Sequence, residues 1–271
     1  MDLSIIILNY KTKGLLKQCL RGIADSHLGM SYEVIVVDNA SGDGSVEMVQ
    51  EGFPWAKVIA SPANNGFSSG NNIGIRQATG DYIMMLNTDV AVFRGAVENM
   101  LTYMSEHPKV GLAVPKLVNP DGTIQMSAMR FPTFFVPLWR RTPLGQLPVP
   151  KKILQRYQMT EWDHQDNRAI GWALGACFLI RRAALDKVGL LDERFFLYVE
   201  DTDYCRRMWE HNWEVHYIAS AEMVHFHQRL SAARPVLVSF FSYPARVHMQ
   251  SWMKYFAKYA GAPSLPKELC L

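Results

Sequence analysis

The apolar run ending in Met85-Leu86 passes directly into Asn87-Thr88-Asp89 before Val90 resumes it. A carboxylate at the end of a buried segment needs a helix start, a hydrogen-bond donor or a cation to stabilise it. A second acidic group, Glu200-Asp201-Thr202-Asp203, follows the apolar stretch FFLYV, and two histidines, His225 and His227, stand in MVHFH. One carboxylate and one imidazole, completed by diphosphate oxygens, make an octahedral site suited to Mg2+ or Mn2+. A cation there would stabilise charge developing on a departing diphosphate. Taken singly, each group also has a plainer reading. Asp38 and Asp89 would cap helices, and the acidic run would sit at a helix N-terminus. His225 would be a hydrogen-bonded core histidine.

The elements that position these groups alternate between β-branched runs and helical patterns. Strands are expected at residues 3–8, 33–38, 56–60 and 81–86, with helices at 11–24, 44–52, 68–78 and 95–106 between and after them. Near-continuous Val/Ile runs mean strands covered on both faces, hence an α/β fold with a mostly parallel, doubly wound sheet. Ligands bind such sheets beyond the carboxyl ends of the strands. Asn9 and Tyr10, Asp38 and Asn39, Asn64 and Asn65, and Asn87 with Asp89 all stand at those ends. That common edge favours a binding crevice over isolated caps. Residues 115–168 are rich in proline, aromatics and arginine without a clean period, and read as an irregular segment covering the crevice. Regular structure is expected to resume with a strand at 172–182, helices at 183–189 and 200–212, and a strand at 213–218. A helix follows at 244–259, with proline in its first turn and Gly261 beyond its end. Its apolar stripe, Met249, Trp252, Met253 and Phe256, suits the core or a homodimer interface. With Arg246, Lys254 and Lys258 it also suits an anionic bilayer surface.

The 271 residues are 49% hydrophobic and 20% charged, an ordinary globular composition. A net charge of +3 is too mild to argue for nucleic acid. Cys19, Cys177, Cys205 and Cys270 lie far apart without a CxxC pair, as reduced thiols of a cytoplasmic protein would. No basic leader precedes Ile5-Ile6-Ile7-Leu8, and the apolar stretches fall short of the roughly 18–20 residues that span a bilayer. NYKTKG after the first strand is not a dinucleotide fingerprint, and SGDGS follows the second strand instead. Walker A, HExxH and EF-hand patterns do not occur, and GFSSG (66–70) does not follow directly on a strand as a nucleophile elbow would. Dinucleotide-dependent redox and P-loop chemistry are therefore disfavoured.

Read in order, SIIILNYKTKGLLKQCLRGI, EVIVVDNASGDGS, NNGFSSGNNIGIRQATGDYIMMLNTDV, GACFLIRRAALDKVGLLDERFFLYVEDTDYCRRM and MVHFHQRLS resemble the family 2 glycosyltransferases of GT-A fold, near the bacterial rhamnosyltransferase-like group. The resemblance implies a GT-A domain over residues 1–232, with a nucleotide-sugar half at 1–114 and an acceptor half at 115–232, followed by a C-terminal helical extension at 233–271. It implies that Asp38 holds the nucleotide base, with Asn9, Tyr10 and Asn39 lining the same pocket and Asn72 near the donor. Asn87, Thr88 and Asp89 occupy the D-x-D position, so Asp89 would hold Mg2+ or Mn2+ on the donor diphosphate, with His225 completing the shell. Asp201 matches the catalytic base. The sequence departs from the pattern at Asn87, which replaces the first aspartate, and at Ile170-Gly171-Trp172, where the group often shows V-D-W.

The implied reaction is an inverting, single in-line displacement. A nucleoside-diphosphate sugar, dTDP-L-rhamnose by group resemblance, would donate to a glycan or lipid-linked glycan acceptor in bacterial surface-polysaccharide synthesis, at the cytoplasmic face of the inner membrane. A UDP-hexose or UDP-hexosamine donor is the alternative. Asp89 and Asp201 argue against a catalytically silent sugar-nucleotide or glycan binder on the same fold.

Overall fold

The computed structural model describes residues 1–226 and 242–271. Its first half is the alternation expected. β1 (Leu3–Asn9), α1 (Lys13–Ser26), β2 (Tyr32–Asp38), α2 (Ser45–Gly52), β3 (Ala56–Ala60), α3 (Gly66–Ile75) and β4 (Tyr82–Asn87) build a parallel sheet in the order β3-β2-β1-β4. Side chains of β1 divide between two cores. Leu3, Ile5 and Ile7 pack with Leu16, Leu20 and Ile23 of α1, while Ile6 packs on the other face with Ile35, Val37 and Ile75. Each such buried aliphatic contributes about 1.5–3 kcal/mol, which is why these strands carry apolar residues on both faces. Gly70 and Gly74 let α3 lie close to β1, since an added Cβ would meet Leu8 at 2.5 Å and Ile6 at 2.4 Å.

Beyond β4 the sheet becomes mixed. β5 (Val90–Ala91), α4 (Ala96–Glu106) and β6 (Val110–Val118) follow, then β7 (Ala128–Met129), α5 (Val136–Trp139), a 3-10 turn at Pro143–Gln146, and α6 (Pro148–Tyr157). β8 (Arg168–Ala169), β9 (Trp172–Ala173), β10 (Cys177–Arg181), α7 (Arg182–Val188), α8 (Glu200–Glu210), β11 (Glu214–His225) and α9 (Tyr243–Lys258) complete the order. The sheet continues β4-β10-β6-β11-β5, with β10 antiparallel to β4 and β6, and β11 parallel to β6.

Some expectations need correction. The expected irregular segment at 115–168 begins inside β6, a central strand whose period is masked by Gly111, Pro115 and Lys116, and it contains two helices. The expected single strand at 172–182 is broken by a turn into β9 and β10. β11 runs past the expected 218 to His225, crossing a register irregularity between Ile218 and Glu222. α9 matches the expected 244–259 within one residue, and its Trp252 and Tyr255 pack inward on Phe195 and Val199, leaving Met253 exposed. Among the described residues no helix is long and apolar enough to cross a membrane. His227 and residues 233–241 of the extension lie outside the described residues.

Candidate active site

The parallel register brings the first polar pair together. Asn9 and Asp38 are partners at the ends of β1 and β2, and both are buried. Asn9 Nδ2 donates to Asp38 Oδ1 at 2.8 Å and to Ser41 Oγ at 3.1 Å, while the Ser41 amide donates to Asp38 Oδ2 at 2.9 Å. Asp38 is therefore held by its neighbours and caps no helix, with lone pairs left for a ligand. Asn39 is spent differently. Its Nδ2 donates to Asn64 Oδ1 and Gly66 O, and its Oδ1 accepts from the Asn65 amide. Tyr10 presents an exposed ring beside this pocket, with Lys11 Nζ 5.3 Å from its centroid. Thr12 ties the pocket to the next strand end, donating to Asn9 Oδ1 at 2.7 Å and lying 3.1 Å from the Thr88 hydroxyl.

Asn72 sits deeper. It is fully buried, its Nδ2 donating to Leu191 O and Glu193 Oε1 and its Oδ1 accepting from the Leu191 amide. Its amide group is used up inside the protein, where it anchors the segment leading to Asp201. Gly66, at φ +85°, makes the second anchor: Phe67 N donates to Phe196 O at 2.6 Å, and an added Cβ would meet that oxygen at 2.4 Å.

Antiparallel pairing of β5 with β11 sets Val90 opposite His225, which brings the imidazole to Asp89. His225 Nε2 lies 3.4 Å from Asp89 Oδ1. Gln125 decides the tautomer. Its Nε2 donates to His225 O and Asn119 Oδ1, so its Oε1 faces His225 Nδ1 at 2.9 Å and accepts the ring hydrogen. Nε2 is the ring nitrogen that faces the carboxylate. Asp89 Oδ1 is buried and accepts no hydrogen bond among the described residues. This donor set fits one face of an octahedral Mg2+ or Mn2+ shell. No group of three His, Cys, Asp or Glu side chains able to hold a metal occurs among the described residues, so the remaining ligands would come from elsewhere.

Asp201 reaches the site through a turn. Asn87 N donates to Ala176 O at 2.9 Å, and Gly175 N donates to Asp201 Oδ2 at 3.3 Å. One tight bend between β9 and β10 thus touches both the Asn87 end of β4 and the start of α8. Thr202 N donates to Asp201 Oδ1 at 2.7 Å. Burial nevertheless dominates and pushes the Asp201 carboxyl up to about 6. Its neighbour Glu200 is raised well above the usual carboxylate range by burial and by the Asp201 charge, and its Oε2 has no hydrogen-bond partner among the described residues. Of this pair Asp201 is the one able to ionise near neutrality. Tyr198 and Val199, just before the helix, both hold left-handed backbone at φ 68° and 72°. For a β-branched residue that conformation is strained and needs support. α9 supplies it. Ser251 Oγ donates to Leu197 O, the Tyr198 and His248 rings stack at 4.7 Å, and Trp252 and Tyr255 pack on Val199. Asp203 faces away from the turn, fully buried and bound by Arg207, Lys258 and Tyr259.

Other candidates lie elsewhere. Arg181 and Arg182 bond backbone carbonyls and Tyr82 at the opposite end of β4. Cys19, Cys177 and Cys205 are buried free thiols pushed up by burial, which makes them poor nucleophiles. Gly171 replaces the acidic residue of V-D-W for lack of room: an added Cβ would meet Leu269 O at 2.7 Å and Met129 O at 2.9 Å. Gln125, Ser41, Thr12, Gly175 and Gly66 are the positions sequence reading missed. Each makes at least one contact with a partner distant in sequence, and only the glycine at 66 carries a local signal, in the turn-like NNG.

Comparison with known proteins identifies the family. The glycosyl transferase family 2 model matches residues 4–189. N-acetylglucosaminyl-diphospho-decaprenol L-rhamnosyltransferase of Mycobacterium tuberculosis is 29% identical over 220 residues, 74% of this chain and 68% of that one. Rhamnosyltransferase WbbL of Escherichia coli K12 is 24% identical over 270 residues, 94% of this chain and 92% of that protein. Among solved structures, mannosyltransferase PcManGT from Pyrobaculum calidifontis, in complex with GDP-Man and Mn2+, superposes with a TM-score of 0.61 at 17% identity, over 98% of this chain and 76% of that one. The chain belongs to glycosyl transferase family 2.

Proposed function

We propose that this glycosyltransferase is an inverting, divalent-metal-dependent enzyme that takes a sugar from a nucleoside diphosphate and passes it to a glycan or lipid-linked glycan of a bacterial surface polysaccharide. The observation that carries the reading is the shared turn: Ala176 O binds the Asn87 end of β4 while Gly175 N binds Asp201, so the strand end proposed for the donor and the carboxylate proposed as base are tied together. Asp38, with Asn9, Asn39 and Tyr10, receives the nucleotide. Asn87, Thr88 and Asp89 face its diphosphate, and Asn72 stiffens the wall behind. Asp89 and His225 would hold Mg2+ or Mn2+, which when bound supplies charge neutralisation for the departing diphosphate. Asp201, ionised above about pH 6, accepts the proton of the acceptor hydroxyl as its oxygen attacks the anomeric carbon. With a single carboxylate serving as base and none set as a nucleophile, the anomeric configuration inverts.

The rhamnosyltransferases among its relatives support dTDP-L-rhamnose as donor, with a UDP-hexose or UDP-hexosamine as the second choice. The donor groups fall within residues 1–114, apart from His225, and Asp201 falls within 115–232. A lipid-linked acceptor would bring the enzyme to the cytoplasmic face of the inner membrane. The experiment that tests the reading is thermal stabilisation by dTDP, UDP and GDP, each with and without Mn2+ or Mg2+. A metal-dependent shift with one nucleotide is expected. No shift with any nucleotide sinks the reading. NMR of the purified product tests inversion, and a retained configuration refutes it.

A further inference from the structure

Acidic residues are absent from two long stretches of the chain. No Asp or Glu occurs between Asp121 and Glu161, where Arg130, Arg140, Arg141, Lys151, Lys152 and Arg156 stand, and none between Glu222 and Glu268. The two stretches meet in space. Phe134 packs on Phe256 of α9 with ring centroids 5.2 Å apart, and an Arg141 guanidinium N–H donates to His248 Nδ1. His248 is pushed down to about 3 by burial, with Arg141 and Arg140 beside it, so it is a neutral acceptor and adds no charge of its own.

Arg140 and Arg141 therefore share one corner of the protein to which the two acid-free stretches bring no carboxylate. Arg140 is exposed and lies over the Tyr157 ring at 5.5 Å, and Arg141 is half-buried. Neither makes an ion pair among the described residues. Residues 227–241 contain no Asp or Glu that might supply one. Adjacent guanidinium groups, one of them desolvated, repel each other and call for an anion; the planar fork of arginine suits a phosphate. The corner borders the base. Tyr157, beneath Arg140, feels the Asp201 charge, and Tyr198, stacked on His248, stands two residues before Glu200. Beside the arginines, Phe134, Phe135 and Leu138 are exposed at 56%, 54% and 36%. A monomeric protein gains nothing from such a cluster in water.

We propose that Arg140 and Arg141 form an acceptor-side subsite for a phosphate or diphosphate ester, with Phe134, Phe135 and Leu138 taking the apolar chain that the ester carries. The inference rests on the glycosyltransferase reading and narrows its acceptor to an anionic lipid conjugate.

Geranyl diphosphate, a short soluble prenyl diphosphate, is the probe. Its binding is followed by calorimetry on the full chain, with the donor crevice filled by whichever of dTDP, UDP and GDP binds. The wild type should bind it, R140Q/R141Q should bind at least about ten-fold more weakly, and K151Q/K152Q should match the wild type. R140Q alone, at an exposed side chain, should weaken binding in the same direction and guards against misfolding of the double variant. Nucleotide affinity should be equal in all four proteins. Unchanged binding by R140Q/R141Q, or an equal loss in K151Q/K152Q, overturns the proposal. Sedimentation with phosphatidylcholine vesicles, with and without phosphatidylglycerol, separates the other source of phosphate. If the arginine pair matters for vesicles but not for geranyl diphosphate, it reads bilayer headgroups and the acceptor subsite is refuted. Nucleotide binding without prenyl diphosphate binding defeats this inference alone, whereas loss of both defeats the glycosyltransferase reading with it.

Discussion

Asp89 Oδ1 and His225 Nε2 face each other at 3.4 Å, and Gln125 Oε1 lies 2.9 Å from the other ring nitrogen, Nδ1. Asp89→Ala should cancel the part of the nucleotide-induced thermal shift that depends on Mn2+ and leave the metal-free part intact. Gln125→Leu should weaken Mn2+ binding about 10–100-fold, the usual cost of losing an outer-shell partner. A Mn2+ titration of the nucleotide complex measures both, and wild-type metal affinity in Asp89→Ala would refute the site.

Asp201 is raised to about 6 by burial. As a base it works ionised, so kcat/KM should rise with pH and level off above an apparent value near 6. Asp201→Asn should lower kcat by about 10²–10⁴-fold while nucleotide binding stays. Full activity in that variant would refute the assignment.

Stability follows the same carboxyl with the opposite sense. A carboxyl raised on folding binds its proton more tightly in the native state, so its penalty is absent below the unfolded value of about 3.9 and grows as pH rises to 6. Asp201→Asn should therefore melt higher than the wild type at pH 8 and at nearly the same temperature at pH 3.5. Paired melting curves at the two pH values check the sign.

Gly66 accepts a left-handed backbone and the contact with Phe196 O. Gly66→Ala should cost about 1–2 kcal/mol from the backbone alone, and more through displacement of Phe196. Urea unfolding measures the loss, and a larger KM for donor would show the displaced wall.

Asp203 is fully buried and shared by Lys258, Arg207 and Tyr259, with Lys258 Nζ at 2.6 Å. Lys258→Met should destabilise by about 1.5–3 kcal/mol. Combined with Asp203→Asn it should cost less than the sum of the two, because both changes act on one network. Urea melts of the double-mutant cycle test this.

The strands β1 to β4 and the polar residues ending them are legible in sequence because a sheet buried on both faces writes continuous Val/Ile runs, and a ligand edge interrupts them. Asn9, Asp38, Asn87 and Asp89 are found that way, without a partner being known. Asp201 is found by resemblance and not by pattern, since its acidic run reads equally well as a helix start. What stays hidden depends on pairing across the chain. Gln125 matters only because β11 passes beside it, and β6 is disguised by a proline and a lysine inside a central strand. The turn at Leu174–Ala176 hides in an apolar run that looks like one unbroken strand. Arg181 and Arg182, whose role the sequence leaves open between surface charge and a phosphate contact, are tied to carbonyls at the opposite end of β4.

The left-handed pair Tyr198–Val199 also says something about timing. These residues keep their costly backbone because α9 lies across them. A ribosome that has finished β11 has already made Asp38, Asp89 and Asp201, but not the helix that supports the strained backbone just before Asp201. On that nascent chain the turn before Asp201 still lacks Ser251, Trp252 and Tyr255, and the last helix to emerge is the clasp that fastens it.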